Sequence, residues 1–140
     1  MNWKQAISDF KNYLLIERGL SENSVLNYTL DIQKLINFLE VNSIAVSPTK
    51  IDSKILQQFI YEIAKILNPR SQSRIISGLK SFFNYLIFED YRKDNPMELI
   101  ETPKIGRKLP DTLSLKEIDE MIACVDLSVA EGERNRAIIE

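Results

Sequence analysis

The segment Asn68-Pro69-Arg70-Ser71-Gln72-Ser73-Arg74-Ile75-Ile76-Ser77-Gly78-Leu79-Lys80-Ser81-Phe82-Phe83-Asn84-Tyr85-Leu86-Ile87-Phe88 carries a single period. Its apolar residues fall at Ile75, Ile76, Leu79, Phe82, Phe83, Leu86 and Ile87, the three-and-four spacing of one face of a helix. Nothing in it alternates with period two for long. The spacing predicts a helix over about 71–88, opened by Arg70 or Ser71. Asn68-Pro69 is read as the stop of a preceding helix, because the residue ahead of a proline is pushed out of helical backbone. Projected at about 100° per residue, the apolar stripe centres near Leu79. The opposite face then carries Arg70, Arg74, Ser77, Ser81 and Asn84, with Ser73 and Lys80 at one edge.

Working outward, three more helices can be read. The first covers about 3–18, with Trp3, Ile7, Phe10, Tyr13 and Leu14 inward, and Gly19 ends it where a left-handed cap is expected. Ser21 caps a second helix over about 22–41, with an inward stripe of Val25, Tyr28, Ile32, Leu35, Ile36 and Leu39. Asp52 caps a third over about 53–67, with Ile55, Phe59, Ile60, Ile63 and Leu67 along one side. Four amphipathic helices joined by short connections imply a compact all-α bundle.

Beyond Asn95-Pro96 the pattern changes. Residues 101–112 contain Pro103, Gly106 and Pro110 with Lys104, Arg107 and Lys108, and no apolar period survives; this is an extended basic linker. Ser114 and Glu117 form a capping box for a fifth helix with Leu115, Ile118, Met121 and Ile122 inward. A polar loop, Asp126 to Glu133, leads into Arg134-Asn135-Arg136-Ala137-Ile138-Ile139-Glu140, the opening of a sixth. Two short helices cannot enclose a core of their own. The organisation expected is therefore 1–100 as one domain, 101–112 as linker and 113–140 as the truncated start of a second domain. Cys124 is expected to be a buried, inert thiol.

Composition narrows the chemistry. There is no histidine among the 140 residues, which removes the commonest general acid/base near neutral pH. A single cysteine excludes an internal disulfide, and no cysteine/histidine cluster is available for zinc. Neither a membrane-length apolar run nor a signal peptide is present, so a reducing cytoplasm is the expected compartment. The net charge of −2 hides an asymmetry. Residues 69–110 hold 8 basic against 5 acidic side chains, whereas 111–140 hold 3 against 8. A local basic region matters more for phosphate contact than the total does.

Gly19-Leu20-Ser21-Glu22-Asn23-Ser24, followed by Tyr28, Asp31 and Phe38, resembles the first two helices of the Xer-type tyrosine recombinases and phage integrases. Ser73-Arg74-Ile75-Ile76-Ser77-Gly78-Leu79-Lys80-Ser81-Phe82-Phe83 is similar to the fourth helix of that family. Asn95-Pro96, Pro103-Lys104, Leu109-Pro110, Leu113-Ser114 and Glu117 match its linker and the start of its catalytic domain, and Arg134-Asn135-Arg136-Ala137-Ile138 resembles the first long catalytic-domain helix. Each motif alone is common; their order and spacing together are specific. The resemblance implies a four-helix orthogonal bundle of the SAM-like, core-binding kind, which with a catalytic domain clamps duplex DNA during strand exchange between recombinase subunits. It implies no cofactor and no metal. No catalytic residue carries over. The first catalytic arginine would fall past Glu140, the second belongs to a motif with a histidine, and none of the five tyrosines has the required neighbours.

The candidate DNA-binding residues follow. Arg70 and Arg74, one turn apart on the fourth helix and followed by Ser73, Ser77, Lys80 and Ser81, suit close approach to phosphates or a major groove. A basic solvent face is the competing reading. On the second helix, Asn23, Asn27 and Lys34 face outward, and asparagine can pair with adenine; an ordinary solvated surface is the alternative. Lys104, Arg107 and Lys108 lie in a linker that the family runs across DNA, or they only solubilise a tether. The aromatic run Phe82, Phe83, Tyr85 and Phe88 is read as core. The function from a different class is a helical protein–protein interaction module, separable because its affinity for DNA would lack the steep salt dependence of counterion release.

Overall fold

Each of the first four helices begins on a short polar side chain that accepts a backbone hydrogen bond. In the computed structural model, which describes residues 1–140, Asn2 accepts from the Gln5 amide and opens α1 (Trp3–Asn12). Ser21 accepts from Ser24 and opens α2 (Glu22–Val41); Asp52 accepts from Ile55 and opens α3 (Ser53–Ala64). Asn68 does the same for α4 (Pro69–Phe88), accepting from Ser71 N–H at 2.9 Å. The reading of Asn68-Pro69 as a stop is thereby corrected. The asparagine caps the new helix, and the proline sits in its first turn, where its missing N–H would have had no partner. α3 ends correspondingly earlier, at Ala64 instead of near residue 67.

α1 is also shorter than its pattern suggested. After Asn12 the backbone widens into a π-helical turn over Tyr13–Glu17, with the Arg18 amide donating to the Tyr13 carbonyl at 3.1 Å. Gly19, at φ +60°, ends the turn in the left-handed region open to glycine, and Leu20 N–H closes back on the Leu14 carbonyl at 3.0 Å.

The chain contains six α-helices and no strand. It divides into two compact units, Met1–Ile105 and Gly106–Glu140. In the first, Phe10, Leu14, Ile32, Leu35, Leu56, Phe59, Ile75, Ile76, Leu79, Phe82 and Phe83 are fully enclosed. Phe10 meets Phe82 edge-on at 5.3 Å and Tyr85 at 5.2 Å, which binds α1 to α4, and the Trp3 indole donates to the Val46 carbonyl at 2.8 Å. Phe88, expected in the core, is instead two-thirds exposed. The core continues past α4 through Met97 and Ile100. Two residues fasten that extension. Arg92 donates to the carbonyls of Ile51 (2.8 Å) and Pro48 (3.1 Å), and Asn95 donates to Asn84 (2.7 Å) and to the Lys80 carbonyl.

The second unit holds α5 (Leu115–Ala123) and α6 (Gly132–Ile139). The Ser114/Glu117 capping box is complete. Leu115 and Met121, expected to face inward, are exposed, and so is Cys124; with only two short helices there is nothing to cover them. Gly132 is the one buried residue of these helices, packed so closely that a Cβ would collide with the Asp126 carbonyl. No helix of the chain is long and apolar enough to cross a membrane.

Candidate nucleic-acid interface

The outward face of α4 is laid down by its own periodicity. With Ile75, Ile76, Leu79, Phe82, Phe83 and Leu86 turned inward, Arg70, Arg74, Ser77 and Asn84 are exposed, while Ser73, Lys80 and Ser81 are half-buried along the edges. Ser77, Lys80, Ser81, Asn84 and Tyr85 of α4 line a polar cleft of about 340 Å³ together with Tyr13 and Arg18. Lys80 and Asn84 also line a second concavity of about 340 Å³ with Lys93, Asp94 and Asn95. Lys80 thus stands between two hollows. Arg18 and Lys93 were not singled out from the sequence. Arg18 ends the π-turn, which has no signature in the sequence, and lines the cleft beside α4.

Tyr85, at the back of the cleft, has its phenol pushed up to about 12 by burial and by the carboxylates of Glu89 and Asp9. It stays a neutral phenol at physiological pH.

Arg74 does not stand free. Its Nη1 donates to Asp31 Oδ2 at 3.1 Å, and its Nη2 lies 2.8 Å from Oδ1. The second contact is an ion pair only: Oδ1 is out of hydrogen-bonding alignment and is a buried oxygen without a hydrogen-bond partner. Asp31, on α2, is 2% exposed, whereas the Arg74 side chain is 47% exposed. α2 and α4 come together here because α4 has no side chain at Gly78: a Cβ there would stand 2.7 Å from Asp31 Oδ2. Burial pushes the Asp31 carboxyl above the usual aspartate range, and Arg74 and Lys34 offset this only in part. The wheel placed Arg74 correctly on the polar face but gave no sign of this partner, 43 residues away.

The α2 candidates separate. Lys34 is exposed and acts on Asp31, next to the α4 face. Asn23 borders a mainly apolar depression of about 430 Å³ with Leu15, Val25 and Leu26, and Asn27 is exposed nearby in sequence. Lys104, Arg107 and Lys108 are all exposed, in a stretch without regular secondary structure. Nowhere do three or more His, Cys, Asp or Glu side chains converge as metal ligands.

A family model described as the phage integrase N-terminal SAM-like domain matches residues 7–90. The chain is 33% identical over 135 residues to the tyrosine recombinase XerD of Listeria monocytogenes, covering 96% of this chain and 46% of that protein. It is 37% identical over 134 residues to the tyrosine recombinase XerD of Lacticaseibacillus casei, with 96% and 45% covered. The chain therefore spans about half the length of the curated relatives it matches. Among solved structures, the integrase from mycobacterium phage Brujita superposes with a TM-score of 0.65 at 18% identity, over 86% of this chain and 39% of that one. That likeness is one of fold.

Proposed function

Since the chain belongs to the phage integrase N-terminal SAM-like domain family, we propose that it is the DNA-gripping region of a site-specific tyrosine recombinase. In this reading residues 1–100 hold one side of a duplex. The linker 101–112 lays Lys104, Arg107 and Lys108 along the backbone, and residues 113–140 begin the domain that carries the chemistry. Strand exchange belongs to the whole protein acting with other subunits on cytoplasmic DNA. The chain as given supplies grip and no nucleophile.

The observation that supports this best is the α4 face. Arg70, Arg74 and Lys80 project from one helix over small Ser73, Ser77 and Ser81, which let a phosphate backbone come close, and Arg18 adds a further cation across the cleft. Sequence-independent phosphate contact of this kind gives dissociation constants of about 10⁻⁴ to 10⁻⁶ M at physiological salt. The test is fluorescence anisotropy of a labelled duplex titrated with the chain at several salt concentrations. Affinity is expected to fall linearly in log–log form, with a slope that shrinks by about 1 when a phosphate-contacting Lys80 is removed. A flat salt response would favour the protein-interaction module instead. A covalent adduct on a nicked suicide duplex would overturn the assignment of grip without chemistry.

A further inference from the structure

We infer that Asp31 is a positioning residue for DNA: its buried carboxylate, seated in the notch left by Gly78, holds the Arg74 guanidinium in one orientation before DNA arrives. The inference rests on the DNA-binding reading and names a residue that never touches the nucleic acid.

The geometry separates this pair from an ordinary surface bridge. Asp31 is enclosed, whereas Arg74 keeps half of its side chain in solvent. The guanidinium donates one hydrogen bond to Oδ2 and ion-pairs with Oδ1, and the N–H groups not engaged there remain for a second acceptor. Gly78 makes the seat: with a Cβ 2.7 Å from Oδ2, the carboxylate would have to move and take Arg74 with it. The charges that face Asp31 are Arg74 from α4 and Lys34 from its own helix, both cationic.

The pair is a poor device for stability alone. A carboxylate taken out of water loses most of what its partner returns, and the upward shift of the Asp31 pKa shows that burial outweighs its two cations. What the arrangement does supply is order in Arg74. A flexible arginine is immobilised when it meets phosphate or a base edge, and affinity suffers by that loss of freedom. A planar guanidinium already gripped by a carboxylate has given up that freedom beforehand.

Charge and position act here with opposite signs, which makes the inference testable. An anion beside a DNA-contacting arginine repels phosphate, so by charge alone Asp31→Asn tightens binding. By position, the same substitution loosens it. Anisotropy with a labelled duplex at low salt, using the full 140-residue chain, is expected to show Kd weakened about 2- to 10-fold for Asp31→Asn. The effect should vanish in an Arg74→Ala background. Unchanged or tighter binding by a cooperatively folded Asp31→Asn protein would overturn the inference and leave the DNA reading intact. Should Asp31→Asn not fold, Arg74→Lys decides: it keeps the charge and loses the fork, so binding weakened towards that of Arg74→Ala supports positioning, and binding equal to the parent overturns it. A parent chain without salt-dependent affinity would remove the DNA reading and this inference together.

Discussion

α4 and α5 make an instructive pair. α5 has the fuller local signature: Ser114 and Glu117 cap it reciprocally, and the two hydrogen bonds from Ser114 hold the Glu117 carboxyl below its usual range. Yet α5 has no buried side chain. α4 begins with a single asparagine cap, and it buries Ile75, Ile76, Leu79, Phe82, Phe83 and Leu86. Capping and periodicity specify that a helix forms and which side is apolar. Burial requires facing stripes from other elements, and only the Met1–Ile105 unit has enough of them.

Phe82→Ala tests that contrast most severely. Phe82 is fully buried against Trp3, Phe10 and Phe83, so its loss should destabilise the chain by about 3–5 kcal/mol in urea unfolding. A loss under 1 kcal/mol would mean that the aromatic contact between α1 and α4 is loose.

Arg74→Ala comes next, at about 1–3 kcal/mol. It strands the buried Asp31 carboxylate, but the figure is discounted because half of the arginine is in water. A face-of-helix argument alone would have it near zero. Asp31→Asn, which removes the buried charge itself, should cost less than Arg74→Ala; the reverse order in the same urea experiment would show that the contacts of the carboxylate with Arg74, not its burial, dominate.

Acid sharpens the same point. Asp31 is raised in the folded chain above the 3.8 of an ordinary aspartate. The folded state therefore takes up this proton first on acidification, and stability from this site rises as pH falls through the folded value. The penalty for ionising Asp31 is fully present above that value and absent below 3.8. The parent should therefore gain stability relative to Asp31→Asn as pH falls through the folded value. A parent that lost stability relative to Asp31→Asn on acidification would contradict the direction of the shift.

The smallest effect is expected in the other unit. Leu115→Ala, at a position 83% exposed, should change stability by no more than about 0.5 kcal/mol. Removal of residues 106–140 should leave the melting temperature of the rest unchanged by calorimetry. A substantial fall would show that the second unit lends support to the first.

Much of this was legible beforehand. Ser21, Asp52 and Ser114 announced their helices because a cap needs only a side-chain oxygen three residues from an amide, a local relation. Asn68-Pro69 misled because the same dipeptide closes one helix and opens another, and nothing within it says which. The polar face of α4 was readable as a list, but its pairing was not: Asp31 meets Arg74, and Arg92 meets Pro48 and Ile51, across more than forty residues. Cys124 was misplaced because burial was inferred from apolar neighbours in sequence, without the other helices needed to enclose it.

The π-turn at Tyr13–Glu17 has a consequence for how such chains vary in length. A π-turn is a helix that has absorbed one surplus residue without breaking. Upstream of it, Ala6 and Phe10 are buried, and downstream Gly19 fixes the exit. A deletion anywhere else in α1 would rotate one of these out of place, whereas a deletion within 13–17 lets the turn relax to ordinary α geometry. Relatives one residue shorter in this helix should therefore have lost that residue here, with the flanking residues left in place.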